Sequence, residues 1–203
     1  MATPREDKVA RKNGCRSAPE GRLHQGAGGT LGCVMREPEK GIITLADGTV
    51  VPFRPIKSED APALKRFHRR LSSHSVHLRF FGSKPELSDK KARYFACVDG
   101  IDRFAPVALD PELPEIIATT GFYRLENTDR AEYAVAVEDR WQGRGLGLAL
   151  TRQLIRAAVG RNVRVFTGVV LAENARVLDL PRDLCLPERL RYEKGTEYVE
   201  IET

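Results

Sequence analysis

A run of glycines and a nearby carboxylate are spaced in this sequence so that they can do chemistry together. Gln142-Gly143-Arg144-Gly145-Leu146-Gly147 lies between an apolar run ending at Val137 and a segment with Leu146, Leu150 and Leu154 at helical spacing. Glycines let backbone N–H groups crowd around a ligand without Cβ interference. A helix opening directly from such a loop adds unpaired donors and the positive end of its dipole, so the segment is read as a cradle for a phosphate or pyrophosphate. Arg144 is expected to add a charge-assisted contact. A dinucleotide fingerprint is excluded, because the sixth residue counted from Gly143 or Gly145 is Leu148 or Leu150 rather than Gly or Ala. A nucleotide P-loop is excluded as well, since no Gly-Lys-Ser/Thr follows.

Glu132 is the candidate general base. It opens the strand leading into the loop, and alternation puts it on the face of Ala134 and Ala136, whose small side chains leave room for an acceptor. An amine acceptor needs such help. A lysine amine with a pKa near 10.4 is neutral about once in 2,500 molecules at pH 7, roughly 4.6 kcal/mol uphill. A positioned base recovers part of that in the transition state. Glu138 is the second choice, at the strand end, and a plain edge-strand acid is the alternative reading of Glu132.

The elements that must hold these residues follow from period and punctuation. Ile42 to Ile56 reads as strand, Asp47-Gly48 turn, strand. Ser58 is placed to cap a helix starting at Glu59 with Ala63, Leu64, Phe67 and Leu71 at helical spacing, and Ser88 a second helix to about Cys97. Three strands are expected over Phe104–Leu109, Glu115–Leu125 and Arg130–Glu138. A helix then ends at Gly160, followed by a buried strand over Val163–Val170. A short helix around Asn174–Leu184 is interrupted at Pro181, and a hairpin flanks Lys194-Gly195. The order is that of a mixed α/β, or α+β, sheet with flanking helices.

The rest of the composition narrows the partners. The 203 residues, 41% hydrophobic and 30% charged, suit one soluble domain with a tail. The first 40 residues hold eight Lys/Arg, five Asp/Glu and no aromatic residue, and are expected to form a disordered basic tail ahead of a domain over 41–203. No apolar run approaches the ~18 residues of a membrane span, and the start MATPREDKVARKNG lacks the apolar core of a secretory signal. A cytoplasmic protein without a membrane partner is therefore expected. A net charge of +5 suits an acidic ligand but is too dispersed for nucleic acid. Cys15, Cys33, Cys97 and Cys185 form no CxxC pair, so reduced thiols and no metal are expected. His68, His74 and His77 read as solvated positions rather than metal ligands, and Lys65-Arg66-His68-Arg69-Arg70 as a solvated helix face. Trp141 reads as a packing residue beside the loop.

Gln-x-x-Gly-x-Gly between a strand and a helix resembles the acyl-coenzyme A pyrophosphate motif of the GNAT acetyltransferase superfamily. Within it the chain looks most like bacterial Pat-type protein lysine acetyltransferases, on Leu45–Gly48, Arg54-Pro55-Ile56, Leu78–Gly82, Trp141–Gly147 and Val170–Asn174. The resemblance implies a central, mostly antiparallel sheet splayed at the cofactor site. It also implies acetyl-CoA as cosubstrate, transfer to a protein lysine or a small amine by direct attack, and leaves a homodimer open. By the same resemblance the backbone of Ala136 and Val137 pairs with the pantetheine arm, and Asn174 bonds that arm or caps its own helix. The Tyr that many members use to protonate the departing thiolate has no match in 177–182, which leaves the general acid unassigned.

Overall fold

Among the described residues nine strands, numbered β1 to β9 in chain order with the ranges given below, form one sheet in the order β1-β2-β4-β5-β6-β7-β9-β8, with β3 alongside β5. A computed structural model of the protein describes residues 39–82 and 86–203. The expected tail, apart from residues 39 and 40, lies outside these residues. The described chain belongs to one unit, Arg36–Thr203.

The hairpin β1 (Gly41–Thr44) and β2 (Val50–Pro55) is antiparallel and closes at Gly48, whose φ of 83° is the left-handed geometry the turn needs. After a 3₁₀ turn at Ser58–Asp60 come α1 (Ala61–Arg70), α2 (Ser73–Phe80) and α3 (Asp89–Ala96). The expected Ser58 cap is not formed. Asp60 stands at the N-cap of α1 while its carboxylate takes the Lys57 N–H and the Arg54 guanidinium. Ser88 does cap α3, accepting from the Lys91 N–H at 3.3 Å. Helix α2 is absent from the sequence expectation, and Ser72 caps it by accepting from the Ser75 N–H.

The short strands β3 (Arg103–Phe104) and β4 (Pro106–Leu109) lead into the long pair β5 (Ile116–Arg124) and β6 (Arg130–Val137). Helix α4 (Leu146–Val159) buries Leu146, Leu150 and Leu154, as the spacing predicts. Strand β7 (Val165–Leu171), the short helices α5 (Ala175–Leu178) and α6 (Leu180–Asp183), and the hairpin β8 (Glu188–Glu193) and β9 (Thr196–Glu202) complete the chain. One core layer lies between the sheet and α1–α3, around Leu64, Phe67, Val76 and Ile116. The other face holds α4, whose Leu154 packs with Phe122, Phe166 and Val199.

Three expectations about side chains are corrected here. His68 is 5% exposed, because it continues the Ala61-Leu64 stripe of α1 at i+4 and packs against the Phe80 ring. The neighbouring basic residues do not form a free solvated face. Lys65 binds Asp89, Arg66 binds Glu115, and Arg70 bridges Glu115, Glu138 and the Ile116 carbonyl, tying α1 to the sheet. Cys97 is disulfide-bonded, against the expected reduced thiol.

Candidate active site

Strands β6 and β7 run parallel, and they pair only over Arg130–Glu132 with Val165–Thr167. Beyond that point β6 stays with β5 as far as Val137, while β7 stays with β9 as far as Leu171. The sheet therefore opens in its middle into a V whose vertex lies at Glu132 and Thr167. In an antiparallel ladder, alternate residues turn their peptide groups to opposite edges. The Glu138 N–H bonds to the Ile117 carbonyl of β5, so Ala136 also faces β5. The N–H groups of Val135 and Val137, rather than those of Ala136, face the opening.

The glycine loop stands at the wide end of the V. Gly143 and Gly145 have φ of 73° and 81°, and Gly145 is the N-cap of α4. A Cβ on Gly147 would meet Val137 Cγ2 at 3.3 Å, so its missing side chain lets α4 lie close on β6. The Ala149 N–H donates to the Gly145 carbonyl and begins the helical ladder. Among the described residues, the N–H groups from Gly143 to Leu148 donate to no other backbone or side-chain acceptor. Such a concentration of free donors at a helix N-terminus is chemically suited to an anion.

Gln142 is the knot of this region. Its Nε2 donates to the Val137 carbonyl at 2.9 Å and to Ser75 Oγ of α2 at 3.0 Å, and its Oε1 accepts from Arg176 of α5 at 2.6 Å. Ser75 Oγ in turn donates to Asp139, which also takes the Ser72 hydroxyl and N–H. Burial works against ionisation of Asp139, yet these hydrogen bonds hold its carboxyl below the ordinary carboxylate range. Arg144 turns to the β1–β2 hairpin, with Nε 3.0 Å from Asp47 and Nη2 2.8 Å from Thr49, and stacks over the Trp141 ring. Thr49 and Arg144 together hold Asp47 at about 2, the Thr49 N–H contributing most. Trp141 is buried beside the loop, as expected. Its indole N–H has no acceptor among the described residues.

At the vertex Glu132 is exposed, with Tyr123 of β5 and Thr167 of β7 as its cross-strand neighbours, and Glu200 of β9 follows Thr167 in the same row. Among the described residues no cation lies within 4 Å of its carboxylate. Glu138 is instead buried between Arg70 Nε (2.9 Å) and Arg140 Nε (2.6 Å), which commits it to holding the strand end. Tyr133 points to the opposite face, stacked on Phe166 with centroids 5.4 Å apart and bonded to Thr151 Oγ1. Asn174 occupies the N-cap position of α5 but makes no capping bond, leaving its amide free for other partners. Among the described residues no group of three or more His, Cys, Asp or Glu is placed to hold a metal, and no helix is long and apolar enough to cross a membrane.

An opened sheet with a row of free donors at its mouth has the form that a long ligand with a phosphorylated end would need. Residues 72–184 match the model of the acetyltransferase (GNAT) family. An acetyltransferase of Pseudomonas aeruginosa is 32% identical over 152 residues, covering 73% of this chain and 79% of that protein. The GNAT domain of S. lividans PAT superposes with a TM-score of 0.75 at 30% identity, over 81% of this chain and 97% of the other. The fold is also that of a Salmonella typhimurium protein solved with its cofactor acetyl-CoA, at 14% identity and a TM-score of 0.59, over 75% of this chain and 92% of that one. With the splayed sheet, the glycine loop and this match in agreement, the chain belongs to the GNAT family of acetyl-CoA-dependent N-acetyltransferases.

Proposed function

We propose that the protein transfers the acetyl group of acetyl-CoA to lysine side chains of other proteins, by direct attack of the amine with both substrates bound. The observation that carries this reading is the vertex of the V, where an uncommitted carboxylate stands one strand-length from the glycine loop. The pantetheine arm is about as long as four extended residues. Val137 to Tyr133 spans about 13 Å at ~3.3 Å per residue. A pyrophosphate held by the N–H groups of Gly143 to Gly147 therefore delivers its thioester beside Glu132. The N–H groups of Val135 and Val137 pair with the arm, and Asn174 borders it from β7's side. Gln142 fixes the loop, and Arg144 holds the loop to the hairpin through Asp47.

Glu132 takes the proton that the amine loses as the C–N bond forms, directly or through water. The form of the acceptor face favours a protein over a small molecule. Thr167, Val169, Tyr198 and Glu200 continue the Glu132 face as an open floor, with Val169 and Tyr198 46% and 44% exposed. Small ligands are bound in enclosed pockets, whereas a lysine presented by a folded surface needs only an accessible floor. The resemblance to Pat-type enzymes and the likeness to the S. lividans PAT domain support the same acceptor class.

Glu132→Gln tests the reading. Turnover on a lysine-bearing protein, followed by mass spectrometry, should fall roughly 10²–10⁴-fold while acetyl-CoA affinity by calorimetry stays nearly unchanged. Full activity in this variant across the pH range would remove Glu132 as the base. Acetylation of free amines alone would replace protein lysines as the acceptor.

A further inference from the structure

The register of the sheet sets one row of side chains across the Glu132 face. Arg103 of β3 pairs with Tyr123 of β5, Tyr123 with Glu132, Glu132 with Thr167 of β7, Thr167 with Glu200 of β9, and Glu200 with Arg189 of β8. Phe104 and Phe122, the next pair along β3 and β5, enter the core beneath α4, so Arg103 and Tyr123 stand on the opposite, Glu132 side. Val169, Tyr198 and Arg191 form a parallel row toward the wide mouth. The charges at the β9–β8 end are matched. Glu200 takes Arg130, while Arg189 and Arg191 each lie 3.9 Å from a carboxylate, of Glu202 and Glu193 respectively.

The β3 end differs. The partly buried Arg103 guanidinium lies over two tyrosine rings, 4.1 Å from the centroid of Tyr94 on α3 and 5.4 Å from that of Tyr123. Its Nη2 donates to the Tyr94 carbonyl, and its other side-chain N–H groups donate to no acceptor among the described residues. No described carboxylate lies within 4 Å of it. Asp99 is spent on the N–H groups of Ile101, Asp102 and Arg103, and Asp102 takes Arg124. Burial raises the Tyr94 hydroxyl above its ordinary value against the pull of Arg103, so that ring stays neutral and supplies no counter-charge. Tyr94 is 47% exposed, which leaves the stack open to solvent. Arg79 of α2 also lacks a carboxylate among the described residues, but its ring contact, the adjacent Phe80 at 5.0 Å, joins it to no member of the row. Two opposite charges thus stand unmatched in one row, Glu132 and Arg103, two strands or about 10 Å apart with Tyr123 between them.

Resting on the transfer to protein lysines read above, we infer that Arg103, held by Tyr94 and Tyr123, is a specificity-determining residue that binds an aspartate or glutamate of the acceptor protein, two or three residues from the lysine that reaches Glu132. The row is complementary to such a segment in charge, with a carboxylate for the incoming ammonium and a cation for the incoming acid. It is complementary in length as well, since two or three extended residues span about 7–10 Å. The stack fixes the plane of the guanidinium and leaves a fork of donors free, the geometry that a carboxylate meets with two hydrogen bonds. Toward β9, Val169 and Tyr198 offer an uncharged surface, so the acid is read on the α3 side. A small amine brings no second charge to this position, and Arg103 thereby favours a protein segment over a free amine.

The test uses peptides with a blocked N-terminus and a single lysine, paired so that each pair differs only in Asp or Asn at one position on either side of that lysine. Wild-type kcat/KM, followed by mass spectrometry, should be roughly tenfold higher for the Asp peptide where the change lies two or three residues from the lysine. Arg103→Gln should bring the two peptides of that pair together, and Arg103→Lys should keep part of the preference. Arg103→Glu should favour Arg over Asp at the same position. Equal wild-type rates on the Asp and Asn peptides at every position overturn the assignment, and that result stands even if Arg103→Gln fails to fold, as judged by circular dichroism. A preference that survives Arg103→Gln in full overturns it too. A wild-type protein that acetylates free amines but no peptide removes the protein-lysine reading itself, which is a different result from peptides acetylated without regard to the acid.

Discussion

Gln142 shows how one side chain can carry more structure than its size implies. Its amide joins the end of β6, helix α2 and helix α5, three segments remote in sequence, using donors and acceptors that the glycine loop leaves available. Gln142→Ala removes all three ties and should cost about 1–2 kcal/mol in urea denaturation, with weaker acetyl-CoA binding in calorimetry because the loop loses its anchor. A variant as stable as wild type with unchanged affinity would mean that the loop is shaped by its glycines alone. Gln142 itself was legible in the motif; its partners Ser75 and Arg176 were not, since nothing local links positions 67 and 34 residues apart. The same holds for the arginines of α1. Their charge is plain in the sequence, but Glu115 and Glu138 become their partners only once the sheet has formed. His68 is the opposite case. The stripe Ala61-Leu64-His68-Leu71 was present in the sequence, and histidine's polarity masked it.

Among the elements, α2 carries the most new information. Its sequence, SHSVHLRF, has a single fully buried residue, Val76, and no repeated apolar stripe, so periodicity gave no signal. Its cap Ser72 and its bonds to Asp139 define it instead. Helix α4 is the reverse, read correctly from its leucines and its glycine start. Its packing on β6 depends on Gly147. Gly147→Val places atoms where Val137 already stands and should destabilise by about 1–3 kcal/mol. Gly143→Ala meets nothing within 4 Å and carries only the strain of its φ of 73°, about 1 kcal/mol. Guanidinium melts of the two variants should rank them in that order, and the reverse order would show that loop strain outweighs helix packing.

Across the whole molecule, ionisation links stability to pH at both ends. Burial opposes ionisation of Asp60, Glu115 and Asp139, but hydrogen bonds from Arg54, from Arg66 and Arg70, and from Ser72 respectively keep all three below the ordinary range. Groups depressed in the fold add stability that is present above their unfolded pKa of about 4 and is lost as pH falls through the folded values. Tyr133 works the other way. Burial pushes its hydroxyl up to about 12 against the bond from Thr151. A raised value adds stability that is complete below the unfolded value of about 10 and disappears as pH rises toward 12. Tyr133→Phe should therefore flatten the alkaline limb of a stability-versus-pH curve while leaving the acid limb in place. An unchanged alkaline limb would assign that loss to other groups.

The parting of β6 from β7 after three paired residues has a mechanical consequence. A sheet normally exposes unpaired backbone only along its outer rims, whereas here an inner rim runs through the middle of the barrier between two halves of the molecule. Whatever lies along that seam stitches the halves together, so saturating it at a hundredfold excess over Kd should raise the unfolding free energy by about 2.7 kcal/mol. Amide exchange at Val135 and Val137 should slow with it. On the proposed reading the cofactor arm would then serve as a temporary strand between β6 and β7.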